Sequence, residues 1–476
     1  SQHRKQQYNP VLEDYLKPIA IIGGGITGLT AAFKLEQLGV STTLFEAADR
    51  VGGVIQTLRD GEFLAECGPN TILETSPLIG DLVRDLGLED RRIYSSDQAE
   101  KRYIVRNKRP FKLPGSPLEF LLTPLFSIRA KARLLLEPFI RRAPSEMEEN
   151  LASFVQRRIG REFLDYAINP FVAGIYSGAP ENLSVREAFP RLYALEQRYG
   201  SLILGQILGA RERRRKGGVS RKNAPKFSFD EGLETLIQSL GEKLKKNIRT
   251  GQTISGITRK NGSWKVKSDT DTSRPDEEYS GVLLALPAFR LAELQVTCES
   301  RKVNLSMLSH IKYAPVASVV LGFHRKDVEH HLDGFGALNP EVEKLHSLGT
   351  IFSSSLFPGR APDGQVLLTS YIGGLRAPHL VTKTPDEICD LVIEDLRVIL
   401  GVRGEPTFKR TCFYPRAIPQ YDVGYGRFKQ FMTCLEQDES GLFFAGHCRD
   451  GVSLGDCIVS GHEAAGRIAT NLNIST

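Results

Sequence analysis

Residues 18–53 read PIAIIGGGITGLTAAFKLEQLGVSTTLFEAADRVGG, and the fold follows from them. The unbroken apolar run over 19–22 predicts a buried parallel strand. Gly23, Gly25 and Gly28 come next in G-x-G-x-x-G spacing. Leu29, Ala32, Phe33 and Leu38 recur at helical intervals, so a helix is predicted over 27–38, stopped by Gly39. A second strand is predicted over 42–45, with Glu46 at its end. Strand, glycine turn, helix, strand and terminal acid in this order separate a dinucleotide site from a chance glycine-rich turn. The glycines let backbone approach a pyrophosphate, and the helix start at Ile26 and Thr27 offers unpaired N–H groups to it. Glu46 is placed to accept from both ribose hydroxyls.

The acid is followed by Ala47, Arg50, Gly52, Gly53 and Val54. This E-x-x-x-R-x-G-G stretch resembles the second fingerprint of the glutathione reductase-like FAD proteins, where it continues the ADP contacts. Ordinary NAD dehydrogenases lack it, so the implied ligand is FAD. No cysteine or histidine spacing demands a covalent link, and the FAD is expected to be non-covalent.

A chain of 476 residues has room for two or three domains. Hydrophobic content of 41% and charged content of 25% are ordinary for a globular protein. A net charge of +6 is too small at this length to argue for nucleic acid. The seven cysteines are scattered, form no C-x-x-C and are odd in number, which argues against a disulfide framework or a metal site and for a reducing compartment. No apolar run approaches the ~20 residues of a membrane span, and no signal peptide is evident. Residues 1–9 read as a disordered start or an expression remnant, and a cleaved transit sequence would leave no trace.

Beyond the fingerprint, an amphipathic helix is predicted over 77–88. KRYIVRNKRPFK at 101–112 reads as a basic, aromatic hairpin turning at 106–108. Residues 116–142 crowd Leu118, Phe120, Leu121, Leu122, Leu125 and Phe126 between Arg129, Lys131, Arg133, Arg141 and Arg142. Such a segment suits a monotopic membrane contact, and it equally suits a helical subdomain with its apolar face buried. Helices are expected over 151–161, 162–175 and 184–204. The basic run from Arg211 to Lys222 holds no stacking aromatics and reads as a solvated loop.

A strand and turn at 226–232, a helix to about 246, and a hairpin (253–258, 264–268) around Asn261-Gly262 come next. GVLLALP at 281–287 is a second fully apolar strand, returning the chain to the cofactor domain. From 291 to 419 the texture is α+β, with strands expected over 316–323, 335–338, 350–356 and 366–372 and a helix over 385–400. GLFFAG at 441–446 is a last buried strand before a helix from about 456 to 472. Repeats and low-complexity segments are absent.

No acid–base pair or nucleophilic constellation emerges, and His324, His330 and His331 show no ligand spacing. A flavin can take a hydride while the protein supplies binding, orientation and electrostatics. Six further stretches carry a family resemblance: GPNT at 68–71, KRYI at 101–104, NPFVAG at 169–174, GFGAL at 334–338, FSSSLFP at 352–358 and YIGG at 371–374. With the fingerprint, they make the chain resemble the protoporphyrinogen oxidases over nearly its whole length, most closely the plant and cyanobacterial type. The ending Ala445-Gly446-His447-Cys448 departs from plant forms.

The resemblance implies an α/β plus α+β fold with three parts. A glutathione reductase-like Rossmann FAD domain would be built from 17–97, 225–290 and 440–476, a mixed-sheet substrate domain from 291–439, and a helical membrane-associated domain from 98–215. It implies that Arg102 pairs with a substrate propionate, that Asn70 lies near flavin and substrate, and that Gly174 contacts the substrate. Leu338 and Ile351 would sandwich the macrocycle, and Tyr371, a Phe in some members, would face its other side. Gly68, Pro69, Asn70 and Thr71 would contact the cofactor, as would Ile254, Gly446, His447, Val452, Ser453 and Leu454.

The expected partners are protoporphyrinogen IX, oxygen and a membrane surface, with a homodimer left open and no nucleic acid. The implied place is peripheral to a bacterial cytoplasmic membrane, or in a chloroplast or mitochondrion after transit-peptide removal. A porphyrinogen, a large apolar disc with acidic edges, calls for aliphatic and aromatic walls with a cation at the rim. Bridge-carbon hydride loss is assisted by the pyrrole N–H and needs no protein base. Alternatives are coproporphyrinogen as substrate, an amine oxidase or carotenoid desaturase, and a non-catalytic membrane flavoprotein.

Overall fold

The computed structural model describes residues 17–144, 147–215, 224–270 and 277–474, apart from the side chains of 98 and 210–215. The start at 1–9 and the basic side chains from Arg211 to Lys222 lie outside the described residues.

Ile19–Ile22 is the middle strand of a five-stranded parallel sheet, ordered Ile248–Arg249, Thr42–Phe45, Ile19–Ile22, Gly281–Leu284, Leu442–Phe444. The three inner strands are buried throughout, which is why they read as continuous runs and not as alternation. Ile26–Gln37 packs on this sheet through Leu29, Ala32 and Leu35. The last helix, Leu454–Asn471, lies against it so closely that a Cβ on Gly461 would stand 2.4 Å from the Thr27 carbonyl. That helix is fixed at its start by a capping box between Ser453 and Asp456. Three separate passages of the chain thus build one parallel sheet.

A second, seven-stranded sheet runs in the order Phe408–Pro419, Tyr313–His324, Gln365–Gly373, Ser347–Ile351, Gly334–Leu338, Lys101–Arg106, Arg109–Lys112. One face packs Val319, Leu321, Leu368, Ile372 and Tyr103 on the helix Pro385–Leu400 through Ile388, Val392 and Leu396. The basic hairpin at 101–112, grouped by sequence with the helical segment, is part of this sheet instead. Lys101–Arg106 pairs in parallel with Gly334–Leu338. Its turn residues Asn107 and Lys108 take φ of 50° and 60° and donate their backbone N–H groups to the Glu343 carboxylate at 2.9 Å each. The strand expected over 350–356 ends at Ile351. Ser353–Leu356 is a helical turn, because three consecutive serines supply no strand-forming side chains.

Short helices fill most of 117–215, among them Pro117–Leu122, Ile128–Leu135, Leu151–Arg158, Asn169–Tyr176 and Pro190–Tyr199. The two helices expected over 151–175 are broken at Gly160, with φ of 97°, and joined through a π turn at Leu164–Ile168. Arg158 is fully buried here and donates to Glu137, to Glu196 and to the carbonyls of Ile140 and Gly200, so its charge is paired on every side. Among the described residues no helix is long and apolar enough to cross a membrane.

Candidate functional site

Gly23, Glu46 and Gly446, expected at the cofactor, lie at the carboxyl ends of parallel strands, where open α/β sheets bind ligands. Gly23 follows Ile22, Glu46 follows Phe45, and Gly446 lies two residues beyond Phe444. Gly28 packs the turn on itself, since a Cβ there would fall 2.0 Å from the Gly23 carbonyl. Gly25 differs: its φ of −71° and ψ of 175° suit any residue, and no protein atom lies within 4 Å of where its Cβ would be. That clear space in front of the N–H groups opening the first helix is what a pyrophosphate needs.

Glu46 Oε2 accepts from Gly24 N and Oε1 from Ala48 N, both at 2.8 Å, which fixes the carboxylate and leaves each oxygen capacity for a hydroxyl. Gln252 N donates to the Glu46 carbonyl and Gly251 N to that of Ala48, bringing the segment before Ile254 alongside Glu46 and Ala47. Arg50 donates to the carbonyls of Val51, Ile55 and Gly53, so it shapes the Gly52–Gly53 turn. Gly446 sits against Thr27, 3.8 Å from its Oγ1 by the same Cβ measure. His447 follows it, and burial pushes its pKa down to about 4, so the ring is neutral and shares a 3.1 Å hydrogen bond with Tyr313 Oη. Val452 and Ser453 lead into the capped helix that begins at Leu454. These residues fit FAD.

The residues expected at the substrate come together through register. Arg102 pairs with Gly336, Ile351 with Gly336 and Thr369, and Tyr371 with Gly349 and Ser318. Paired residues share a face. Arg102, Leu338, Ile351 and Tyr371 therefore stand on the face opposite the Pro385–Leu400 helix. Gly174, on the helix Asn169–Tyr176, reaches this face at Leu338.

Arg102 is exposed, lies over the Phe335 ring at 5.9 Å and has no carboxylate partner among the described residues. Partial desolvation lowers its pKa. Lys226, half-buried, is also without an ion pair among the described residues, and its pKa is lowered first by burial and then by the charge of Arg102, against the opposing charge of Glu100. Two neighbouring cations at the edge of an apolar face are of the charge that can receive a carboxylate.

Between the two domains runs the loop Gly68–Thr71. A Cβ on Gly68 would stand 2.2 Å from the Val54 carbonyl and 3.7 Å from Tyr414 Oη. Asn70 Nδ2 donates to Tyr371 Oη at 2.6 Å, and Tyr371 Oη donates to the Gly68 carbonyl at 3.0 Å. Ser353 Oγ donates to Asn70 Oδ1 at 3.5 Å. Tyr414, Ser353 and Lys226 were not singled out from sequence. Only Ser353 had a signal there, inside FSSSLFP. Beneath the loop, burial raises the pKa of Glu66 to about 7 against hydrogen bonds from Leu233 N and Thr57 Oγ1.

The model of the flavin-containing amine oxidoreductases matches residues 26–469. A protoporphyrinogen oxidase 2 of Arabidopsis thaliana, chloroplastic/mitochondrial, is 35% identical over 96% of this chain and 94% of its own. A coproporphyrinogen III oxidase of Bacillus subtilis is 30% identical over 97% of this chain and 100% of its own. A solved structure from Exiguobacterium superposes with a TM-score of 0.80 at 24% identity, covering 96% of this chain and 99% of that one, and so shares the fold.

Proposed function

The chain belongs to the flavin-containing amine oxidoreductase family, among its protoporphyrinogen oxidases, and from that premise we propose that it oxidises protoporphyrinogen IX to protoporphyrin IX with non-covalent FAD. The observation that carries this reading is the single sheet face on which Arg102, Leu338, Ile351 and Tyr371 meet the Gly68–Thr71 loop. Leu338 and Ile351 offer aliphatic walls to a macrocycle. Arg102, with Lys226 beside it, offers charge to propionates at its edge. When bound, FAD supplies the hydride acceptor, and oxygen, yielding hydrogen peroxide, would restore it over several rounds. No protein base is needed at the bridge carbon, because the pyrrole N–H can give up the proton.

The helical segment 117–139 would rest on a membrane. It turns Leu118, Leu121, Leu122, Ile128 and Phe139 outward, and a greasy substrate could reach the site from there.

An anaerobic absorption spectrum tests the reading. Protoporphyrinogen should bleach the yellow protein within one turnover, and simple amines should leave it yellow. Bleaching by amines alone, or no bleaching by any porphyrinogen, would overturn it. Coproporphyrinogen is the second reading, favoured by the second cation at Lys226, and competition between the two porphyrinogens decides between them.

A further inference from the structure

Tyr371 carries a hydroxyl where a wall for a macrocycle needs only a ring. The Gly68 carbonyl can only accept, and a phenol has one proton. Once Tyr371 Oη donates that proton to Gly68 at 3.0 Å, it can only accept from Asn70, which it does at 2.6 Å from Nδ2. The amide of Asn70 is thereby held one way round, NH2 toward Tyr371 and Oδ1 toward Ser353, whose hydroxyl is in turn shared with Thr369 at 2.8 Å. With phenylalanine at 371, the amide would lose its shortest bond and keep only the 3.4 Å bond from Nδ2 to the Gly68 carbonyl and the 3.5 Å bond from Ser353, and the Gly68 carbonyl would lose the nearer of its two donors.

We propose that Tyr371 is a positioning residue: its hydroxyl sets the amide orientation of Asn70 and pins the Gly68–Asn70 loop between the cofactor domain and the substrate sheet. The loop has no slack on its other side, because a Cβ on Gly68 would overlap the carbonyl of Val54, the residue after the fingerprint glycines. A change at the phenol therefore passes through Asn70 to the ground between both ligands. Burial of the hydroxyl, which raises its pKa, keeps the proton on it at working pH.

This inference rests on the proposed porphyrinogen reading for its kinetic arm, and a second arm is independent of it. The holoenzyme is compared with Tyr371→Phe, Asn70→Ala and the double variant. Tyr371→Phe should lower kcat about 3- to 10-fold, the scale of one hydrogen bond, with KM and Tm near parental values. In the Asn70→Ala background the same change should cost clearly less than in the parent, because only the bond from the hydroxyl to the Gly68 carbonyl is left to lose. If the two losses multiply, or if only KM or Tm moves, the proposal is overturned.

The second arm reads the flavin absorption spectrum and midpoint potential. Tyr371→Phe should move both in the direction of Asn70→Ala, and the double variant should move them by less than the sum of the two single shifts. Should no porphyrinogen reduce even the parent, the substrate reading fails while this arm still decides the inference. Parental spectra and potential in Tyr371→Phe would then overturn it. If Asn70→Ala does not retain flavin, Asn70→Ser takes its place in the cycle.

Discussion

Leu338 Cδ2 lies 3.1 Å from the position a Cβ would take on Gly174, so the helix Asn169–Tyr176 and the substrate sheet meet at a point with room for a hydrogen and little else. The neighbour that must yield is the tip of a flexible side chain. Gly174→Ala should therefore fold well, with stability equal to the parent or higher by up to ~1 kcal/mol, because glycine inside a helix is costly. The displaced Leu338 should take space from the substrate. KM for porphyrinogen should rise several-fold, and Gly174→Val should raise it further with flavin content unchanged. An unchanged KM in both variants would remove Leu338 from the pocket wall.

Gly25→Val and Gly28→Ala should fail differently. Gly25 has ordinary backbone angles, and a Cβ there meets no protein atom within 4 Å. The variant should fold with near-parental apo stability and lose FAD, the only group its side chain would strike. Gly28→Ala should misfold instead, because its methyl would overlap the Gly23 carbonyl. Flavin fluorescence and apo-protein melting separate the two outcomes, and a yellow Gly25→Val protein would refute the pyrophosphate assignment.

Arg102 should act on binding rather than turnover. Among the described residues its guanidinium has no carboxylate to pair with. A charge-assisted bond to a propionate is worth about 1.5–3 kcal/mol, so Arg102→Ala should raise KM about 10- to 100-fold with kcat little changed. Arg102→Lys should recover part of the loss, since a lysine keeps the charge without the fork. A substrate esterified at its propionates should be indifferent to the change. Equal harm to ester and acid would make Arg102 structural.

The cofactor strands were legible because each is buried on both faces and interrupted by diagnostic glycines. The residues proposed for the substrate could be named only through resemblance. No local pattern says that Arg102, Ile351 and Tyr371 share a face, since that is a fact of register between strands far apart in sequence. The strand Phe408–Pro419 went unread, and Tyr414 and Cys412 with it. It is an edge strand with one open side, carries Lys409, Arg410 and Arg416, and passes Pro415 through a bulge opposite 314–316. The helix Gly426–Asp438 had a usable signal in Phe428, Met432 and Leu435, all buried and at helical spacing.

Glu66 should make stability fall as pH rises. Its carboxyl titrates at about 7 in the fold against 4.5 for the ordinary group. Between those values the folded state holds a proton that the unfolded state has lost, so each step up in pH favours unfolding, by up to about 3 kcal/mol in all. Glu66→Gln keeps the shape and can still accept from Leu233 N. Its melting temperature should exceed the parent's at pH 8, and the gain should vanish near pH 5. A gain of equal size at both values would show that the carboxyl is not the titrating group.

The outward apolar face at 117–139 should bind membranes without supporting the fold. Leu125 and Phe126 point inward, are buried, and stack with Phe163 and Ile104, so the segment has its own anchor to the protein. Leu121 at 60% exposure, Leu122 at 75%, and Ile128 and Phe139 at 85% each contribute nothing to that core. Lys131 does not compete for the surface, since its ammonium is held by the carbonyls of Leu121 and Thr123. Burying a leucine side chain is worth about 1.5–3 kcal/mol, and a glutamate in its place adds repulsion from anionic lipid. Leu121→Glu with Leu122→Glu should therefore weaken co-sedimentation with anionic vesicles by at least about 100-fold, with Tm and flavin content at parental values. Raised salt should weaken the parent's binding only in part, because the apolar contribution is not screened. If the double variant pellets as well as the parent, the membrane face lies elsewhere, and these exposed leucines await a protein partner.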